Sequence, residues 1–168
     1  MSELRVGLGV DAHAFADGVP LVLGGVAIDS PRGLAGHSDG DVIAHALIDA
    51  LLGAAGLGDI GLLFPAGEPE WAGASSLDLL RRAAAQVREA GWELVNADCV
   101  LIGQEPRIAP LREQIRERLA ESVGADPPQV NVRATTTDRL GFTGRGEGLA
   151  AQAVALVRQS RQAVGDPD

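Results

Sequence analysis

The sequence predicts an α/β fold of the two-layer α+β type, a β-sheet with helices packed on one face, with residues 1–168 forming one domain. Three observations predict it. Runs with two-residue hydrophobic alternation share the chain with longer runs at helical spacing. Glycine or proline punctuates most of the boundaries between them. The polar, Gly-rich stretches near Asp11, His37, Asp59, Gly103, Thr135 and Arg145 fall at predicted element ends, where a scaffold positions functional loops.

In chain order, Leu4, Val6, Leu8 and Val10 alternate with Arg5, Gly7 and Gly9, which predicts a strand with its aliphatic side buried. It runs into Asp11-Ala12-His13. If the strand continues, Asp11 and His13 point to the same side and can reach one metal ion. The alternative is a polar turn. Leu21–Ile28 predicts a strand or a hairpin broken at Gly24-Gly25, between turns at Asp17–Pro20 and Ser30–Gly33.

The densest stretch is Gly36-His37-Ser38-Asp39-Gly40-Asp41-Val42-Ile43-Ala44-His45. Ser38 is placed to cap a helix, with Asp41 completing a Ser-x-x-Asp pattern. Val42, Ile43, Ala46, Leu47, Ala50 and Leu51 recur at helical spacing, and Gly53 and Gly56 weaken or end the run. A free helix start of this kind favours an anion such as a phosphate. Asp41 and His45, four apart, share a face. A histidine deep in an apolar helix needs a metal or a hydrogen-bond partner, and a satisfied core histidine is the alternative.

Gly58–Pro65 leaves this helix as a loop, in which Asp59 reads as a ligand contact or a self-bonded turn carboxylate. Ala66–Gly73 is expected to be mobile. Ser75-Ser76-Leu77-Asp78 caps a second helix that buries Leu79, Leu80, Ala83, Ala84 and Val87 and exposes Arg81, Arg82 and Arg88. Leu94–Ile102 predicts a strand and Gly103–Pro110 a loop. Leu111, Ile115, Leu119 and Val123 mark a helix ended by Gly124. Val130, Val132 and Ala134 mark a strand ending in Thr135-Thr136-Thr137-Asp138. A last helix is predicted over about Leu149–Arg161, burying Ala150, Ala153, Val154 and Val157, with a frayed tail after Val164.

Composition excludes several classes. Hydrophobic residues make up 46% of the chain, which argues for a packed core against disorder. The formal charge of −9 is spread along the chain without a basic stripe, which argues against nucleic-acid binding. Cys99 is the single cysteine, so neither an intramolecular disulfide nor a cysteine-based zinc site is available. No apolar run reaches the ~18 residues of a membrane span, and Met1-Ser2-Glu3 opens no signal peptide. A cytoplasmic protein is expected.

Five segments together carry a resemblance. They are Asp11–Phe15; Gly36–Val42 with His45; Asp49–Ala55; Gly58–Gly61 with Phe64-Pro65; and Ala134–Thr137 with Gly141–Gly148. In this order the chain, from about Arg5 to Val157, resembles the 2-C-methyl-D-erythritol 2,4-cyclodiphosphate synthase family. The resemblance implies conversion of 4-diphosphocytidyl-2-C-methyl-D-erythritol 2-phosphate to the cyclic diphosphate and CMP, in the non-mevalonate isoprenoid route. It implies a mixed sheet, a homotrimer with sheets facing the axis, and active sites at subunit boundaries.

By the same resemblance Asp11, His13 and His45 match zinc ligands, and a second ion, Mg2+ or Mn2+, sits on the cytidine diphosphate. His37 and Thr136 match the groups that steady the transition state. Ser38, Asp59 and Gly61 match the erythritol-phosphate and adjoining pocket, and Asp11, His13, His37, Ile60 and Phe64 match further substrate contacts. Gly103, Gln104, Glu105, Pro106, Arg107 and Ile108, with Thr135, Thr137 and Asp138, match the cytidine side, supplied by the neighbouring subunit. Phe142 and Arg145 match further substrate-proximal positions. An isoprenoid diphosphate in an axial cavity, with Arg145 and Glu147 at its mouth, is also implied; a helix-start salt bridge is the other reading of that pair. The chain departs from the family at Ala66-Gly67-Glu68, where an acidic pair is usual, at Asp138 for Glu and at Arg133 for Lys.

The chemistry is consistent with these residue types. An Asp/His/His set leaves a fourth zinc position open. The substrate's own 2-phosphate, with a second pKa near ~6, is a ready nucleophile at neutral pH. No protein nucleophile is then required. A zinc-dependent phosphoesterase, or a non-catalytic trimer that binds isoprenoid diphosphates, are the other classes the sequence leaves open.

Overall fold

A computed structural model describes residues 3–160. Its five-stranded sheet has the order β4-β1-β7-β5-β6, formed by β1 (Leu4–Asp17), β4 (Arg32–Leu34), β5 (Trp92–Ile102), β6 (Val130–Thr135) and β7 (Gly148–Gln159). The β5–β6 pair is parallel and the other pairs are antiparallel, so the sheet is mixed. A separate hairpin joins β2 (Leu21–Leu23) to β3 (Val26–Ile28). Its two turn residues, Gly24 and Gly25, have φ of 54° and 73°, the left-handed values such a turn requires.

Helices α1 (Val42–Ala55), α3 (Ser76–Glu89) and α4 (Arg112–Val123) are the long helices; α2 (Ile60–Leu63) and α5 (Gly141–Gly144) are single turns. Helix α1 is apolar on nearly every side and buried accordingly, lying between the sheet and α3. Gly56, in the left-handed conformation, closes it by donating to the Gly53 and Leu52 carbonyls. Helices α3 and α4 end as their spacing predicts, at Ala90-Gly91 and at Gly124.

The strand prediction for β1 holds, but its buried side is the reverse of the one expected. Leu4, Val6, Leu8 and Val10 are 60%, 67%, 63% and 54% exposed, while Gly7 and Gly9 are buried. The reason is steric. A Cβ on Gly7 would lie 1.9 Å from the Ala50 carbonyl oxygen, and one on Gly9 the same distance from that of Ala46. The glycines let the α1 backbone lie directly on the strand, so the aliphatic side chains turn to the other face.

The predicted last helix is a strand. In β7, Leu149, Ala151, Ala153, Ala155 and Val157 are buried with a period of two, and Gln152 and Val154 are exposed. Alanine fits a tight helix-on-sheet contact as well as a helix, so a run rich in it satisfies both periods. The predicted residue Arg161 and the tail after Val164 lie outside the described residues.

The first helix starts at Val42, not at Ser38. Its cap is Asp41, a wholly buried carboxylate that accepts the Ala44 N–H at 3.2 Å and the Gly24 and Gly25 N–H groups at 2.9 and 2.7 Å. Burial pushes the Asp41 carboxyl up to about 6 against the pull of those three donors. The anion expected at this helix start is therefore a side chain of the protein itself. The 66–73 segment carries a 3-10 turn at Pro69–Trp71, and is tied back by the Gly73 N–H to the His37 carbonyl and by Trp71 edge-on to Phe64.

Candidate functional site

Asp11 and His13 keep strand alternation on β1 and point to the side facing α1, where His45 faces them one turn inside the helix. One ligand atom from each of the three lies within 4.8 Å of the others. Asp11 Oδ2 is 2.8 Å from His13 Nε2 and 3.0 Å from His45 Nδ1, and the two ring nitrogens are 3.2 Å apart. His13 Nδ1 donates to the Ala35 carbonyl at 2.6 Å, which can only accept, so Nε2 is the free ligand atom of a neutral ring.

Three acceptor atoms this close need a cation among them. Without a metal, a proton serves: the hydrogen bond to Asp11 raises His13 above the ordinary imidazole value, against the opposing effect of burial. Burial alone would push the Asp11 carboxyl up, but its hydrogen bond with His13 and the positive charge beside it outweigh that and hold it well below the usual carboxylate range. This donor chemistry fits a divalent metal ion with an open coordination position. The metal reading of Asp11 and His13 thus prevails over the polar-turn reading, and His45 has polar partners throughout.

His45 Nε2, on the far side of the ring, lies 2.8 Å from Ser76 Oγ and 3.0 Å from Ser38 Oγ. Ser76 and its partner Asp39 are contacts that the sequence does not single out. The double serine at the start of α3 gives only a capping signal, while the burial that makes Ser76 available to His45 comes from the packing of α3 on α1. His37 is exposed beside this cluster, its Nε2–H aimed at the Glu68 carbonyl 3.3 Å away. Asp59 caps α2 through the Leu62 N–H at 2.9 Å, and Gly61 is exposed next to it. The Ile60 N–H is held by Asp49 at 2.7 Å.

The second group of residues assembles elsewhere. Gly103, Gln104, Glu105, Pro106, Arg107, Thr135 and Thr136 line a cavity of about 560 Å³ together with Arg139 and Gly144. The Gly103 N–H donates to the Thr135 carbonyl and joins its two rims. Asp138 and Arg139 have φ of 51° and 67°, unusual for residues with a Cβ, and strain of this kind collects at functional turns. Thr137 donates to the Leu140 carbonyl at 2.6 Å. Ile108, expected among the contacts, has its side chain in the core at 1% exposure, so only its backbone is free to face a ligand. Phe142 is exposed. Arg145 pairs with Glu147 at 2.6 Å in a solvent-exposed ion pair just before β7, not at a helix start.

The chain matches the YgbB family over residues 4–158. The chain belongs to the YgbB family. Among its relatives, the Moorella thermoacetica 2-C-methyl-D-erythritol 2,4-cyclodiphosphate synthase is 55% identical over 154 residues, 92% of this chain and 94% of the relative. The Rubrobacter xylanophilus protein of the same name is 57% identical over 163 residues, 95% of this chain and 98% of the relative. Among solved structures, an IspF–CDP complex from Plasmodium falciparum superposes with a TM-score of 0.82 at 30% identity, over 96% of this chain and 99% of that one. The bifunctional IspDF of Campylobacter jejuni superposes with a TM-score of 0.91 at 43% identity; the match covers 95% of this chain but spans only 43% of that longer protein. Among the described residues no helix is long and apolar enough to cross a membrane.

Proposed function

We propose that this chain is a 2-C-methyl-D-erythritol 2,4-cyclodiphosphate synthase, converting 4-diphosphocytidyl-2-C-methyl-D-erythritol 2-phosphate to the cyclic diphosphate and CMP. The observation that carries the reading is the convergence of Asp11, His13 and His45 on one point, in a chain that is 55% identical to a synthase of that name over 154 residues. An oxygen of the 2-phosphate attacks the β-phosphorus, a new P–O bond closes the ring, and the bond to the CMP oxygen breaks. The nucleophile is already ionised, so the protein's work is positioning and charge stabilisation.

Asp11, His13 and His45 would hold a zinc ion, whose chemistry there is polarisation of a phosphate oxygen; Mg2+ or Mn2+ would accompany the diphosphate and offset the charge on leaving CMP. His37, exposed beside the cluster with an N–H to donate, and the exposed Thr136 hydroxyl stabilise charge that develops on the phosphates. Ser38, Asp59, Ile60 and Gly61 receive the erythritol phosphate, and the 103–107 and 135–138 rims receive the cytidine diphosphate. Incubation of the purified protein with this substrate and Mg2+ should yield CMP and the cyclic product. Release of a linear diphosphate or free phosphate instead would replace the reading with a phosphoesterase.

A homotrimer belongs to the same proposal. Paired residues point to one face of a sheet, and the register runs Ala12–Ala150–Ile102–Thr135 across four strands. Thr135 therefore faces away from α1, whereas His13 faces toward it. The two are also about 14 Å apart, at ~4.8 Å per strand. The face that carries Thr135 is the open one, with Leu4, Val6, Leu8, Val10 and Val154 exposed. A second and third copy on that face would cover the apolar stripe and bring one chain's cytidine side to the next chain's metal side. Mixing inactive His45→Ala and Thr136→Ala chains should restore part of the activity in exchanged trimers. No recovery after verified exchange would count against shared sites.

A further inference from the structure

We infer that Asp39 and Ser76 are a positioning pair that fixes the ring of His45 for metal binding; the inference rests on the metal reading above. Ser76 is the first residue of α3 and is completely buried. Its backbone N–H donates to Asp39 Oδ2 at 3.0 Å, and its hydroxyl donates to Asp39 Oδ1. A hydroxyl has one proton. With that proton committed to the carboxylate, Ser76 Oγ can only accept from His45 Nε2, 2.8 Å away. The ring proton of His45 therefore sits on Nε2, and Nδ1 is left as a lone pair aimed at the point shared with Asp11 and His13.

The carboxylate is itself fixed. Asp39 Oδ1 also accepts the Asp41 N–H at 3.2 Å, and the Asp39 N–H donates to the Ala74 carbonyl at the same distance. The orientation of one ligand is thus set by three segments at once: α1 carries the imidazole, α3 the hydroxyl, and the 39–41 turn the charge. Ser38 Oγ also lies near Nε2, but its other contacts, to Ser76 Oγ and the Gly40 N–H, are both 3.4 Å. It is loosely held and free to turn toward a phosphate, while Ser76 stays with the ring. Neither Asp39 nor Ser76 reaches the ligand atoms; both act through His45, as outer partners of metal-bound histidines do.

Zinc affinity, measured by competition with a chromogenic chelator, tests the pair in Ser76→Ala and Asp39→Asn, with His45→Ala as reference. Both variants should bind zinc on the order of 10–100-fold more weakly than the wild type. The metal-free Ser76→Ala protein should keep a melting temperature close to the wild-type value. Asp39→Asn sets an amide N–H₂ against either the Ser76 N–H or its hydroxyl, so it disturbs the same proton arrangement without removing volume. Nitrogen-15 NMR of the wild-type metal-free protein reads the tautomer without any variant, and neutral His45 should carry its proton on Nε2. Wild-type zinc affinity in both variants while His45→Ala loses zinc, or a His45 proton found on Nδ1, would overturn the pair and leave the metal site standing. Unchanged affinity in His45→Ala would overturn the metal reading and the pair together.

Discussion

The two halves of the candidate site are built differently. On the metal side every ring nitrogen and the carboxylate have partners within 3.2 Å, in a cluster closed by β1, α1 and the start of α3. On the cytidine side, Thr135, Thr136 and Asp138 are exposed, the Thr136 hydroxyl reaches Asp138 only at 3.4 Å, and the Arg139 N–H reaches the Gln104 side chain at the same distance, around an open cavity. One half is preorganised inside a single chain, as a site for a small ion must be, because ligand geometry has little tolerance. The other presents loop backbone and short hydroxyls, which suit a nucleotide that brings its own shape and charge. The contrast assigns different failure modes to mutations in the two halves.

The metal half depends on how closely α1 lies on β1, and the largest expected effect strikes there. Gly9→Val places a branched side chain where a Cβ alone would be 1.9 Å from the Ala46 carbonyl oxygen, a backbone atom that moves only with the helix. The variant should fail to fold, or lose most of its cooperative melting transition, and carry no zinc. A well-folded Gly9→Val protein with native zinc content would show that the contact is not what aligns His45 with β1.

That same contact explains what could be read from the sequence and what could not. The Asp11-x-His13 spacing survives translation into structure because strand alternation is local, and His45 survives because α1 is long and strongly apolar. The orientation of β1 does not survive, since two glycines carry no hydrophobic signal although they form the packed side. Nor does β7, whose alanines satisfy both periods, with the tertiary contact to α1 deciding between them. Asp41 displaced Ser38 as the cap for a tertiary reason as well: its carboxylate also satisfies the Gly24-Gly25 turn, which lies 16 and 17 residues away in the chain. Ser76 and Asp39 stayed invisible because their role exists only when α3 packs on α1.

Next in size is His45→Ala. It removes one of three ligands and takes one partner from each of Ser76 and Asp11. Zinc content should fall to background and turnover should vanish, while CDP binding, which the proposal assigns to the other half, should stay near its wild-type affinity. Loss of CDP binding along with zinc would mean that the two halves are not separable and would break the comparison.

His37→Ala falls between the halves. The side chain is exposed and makes a single long contact to the Glu68 carbonyl, so its removal should leave zinc content and melting temperature unchanged. Loss of one donor aimed at developing charge costs about 3 kcal/mol, roughly a hundredfold in kcat. Full kcat per folded enzyme would reduce His37 to a shaping role at the loop; lost zinc would make it a ligand.

The smallest effect is graded and comes from pH. His13 has a raised pKa in the metal-free protein, chiefly through its hydrogen bond to Asp11. The protonated ring stabilises the metal-free fold, fully so below the ordinary imidazole value of 6.5, and that contribution is lost as pH rises through the raised value. Zinc requires the same ring to be neutral, so metal and proton compete for Nε2. Zinc affinity should therefore begin to weaken while pH is still above 6.5, and below that by about tenfold per unit for this one proton. Asp11 adds no dependence in that range, because its carboxyl stays ionised far below it. Cytidine affinity, on the side without histidines and with a ligand that carries no phosphate to titrate, should stay level over the same titration. Parallel titrations of zinc and cytidine binding separate the halves by chemistry alone, and a zinc affinity that stays flat down to about pH 5 would remove His13 from the ligand set.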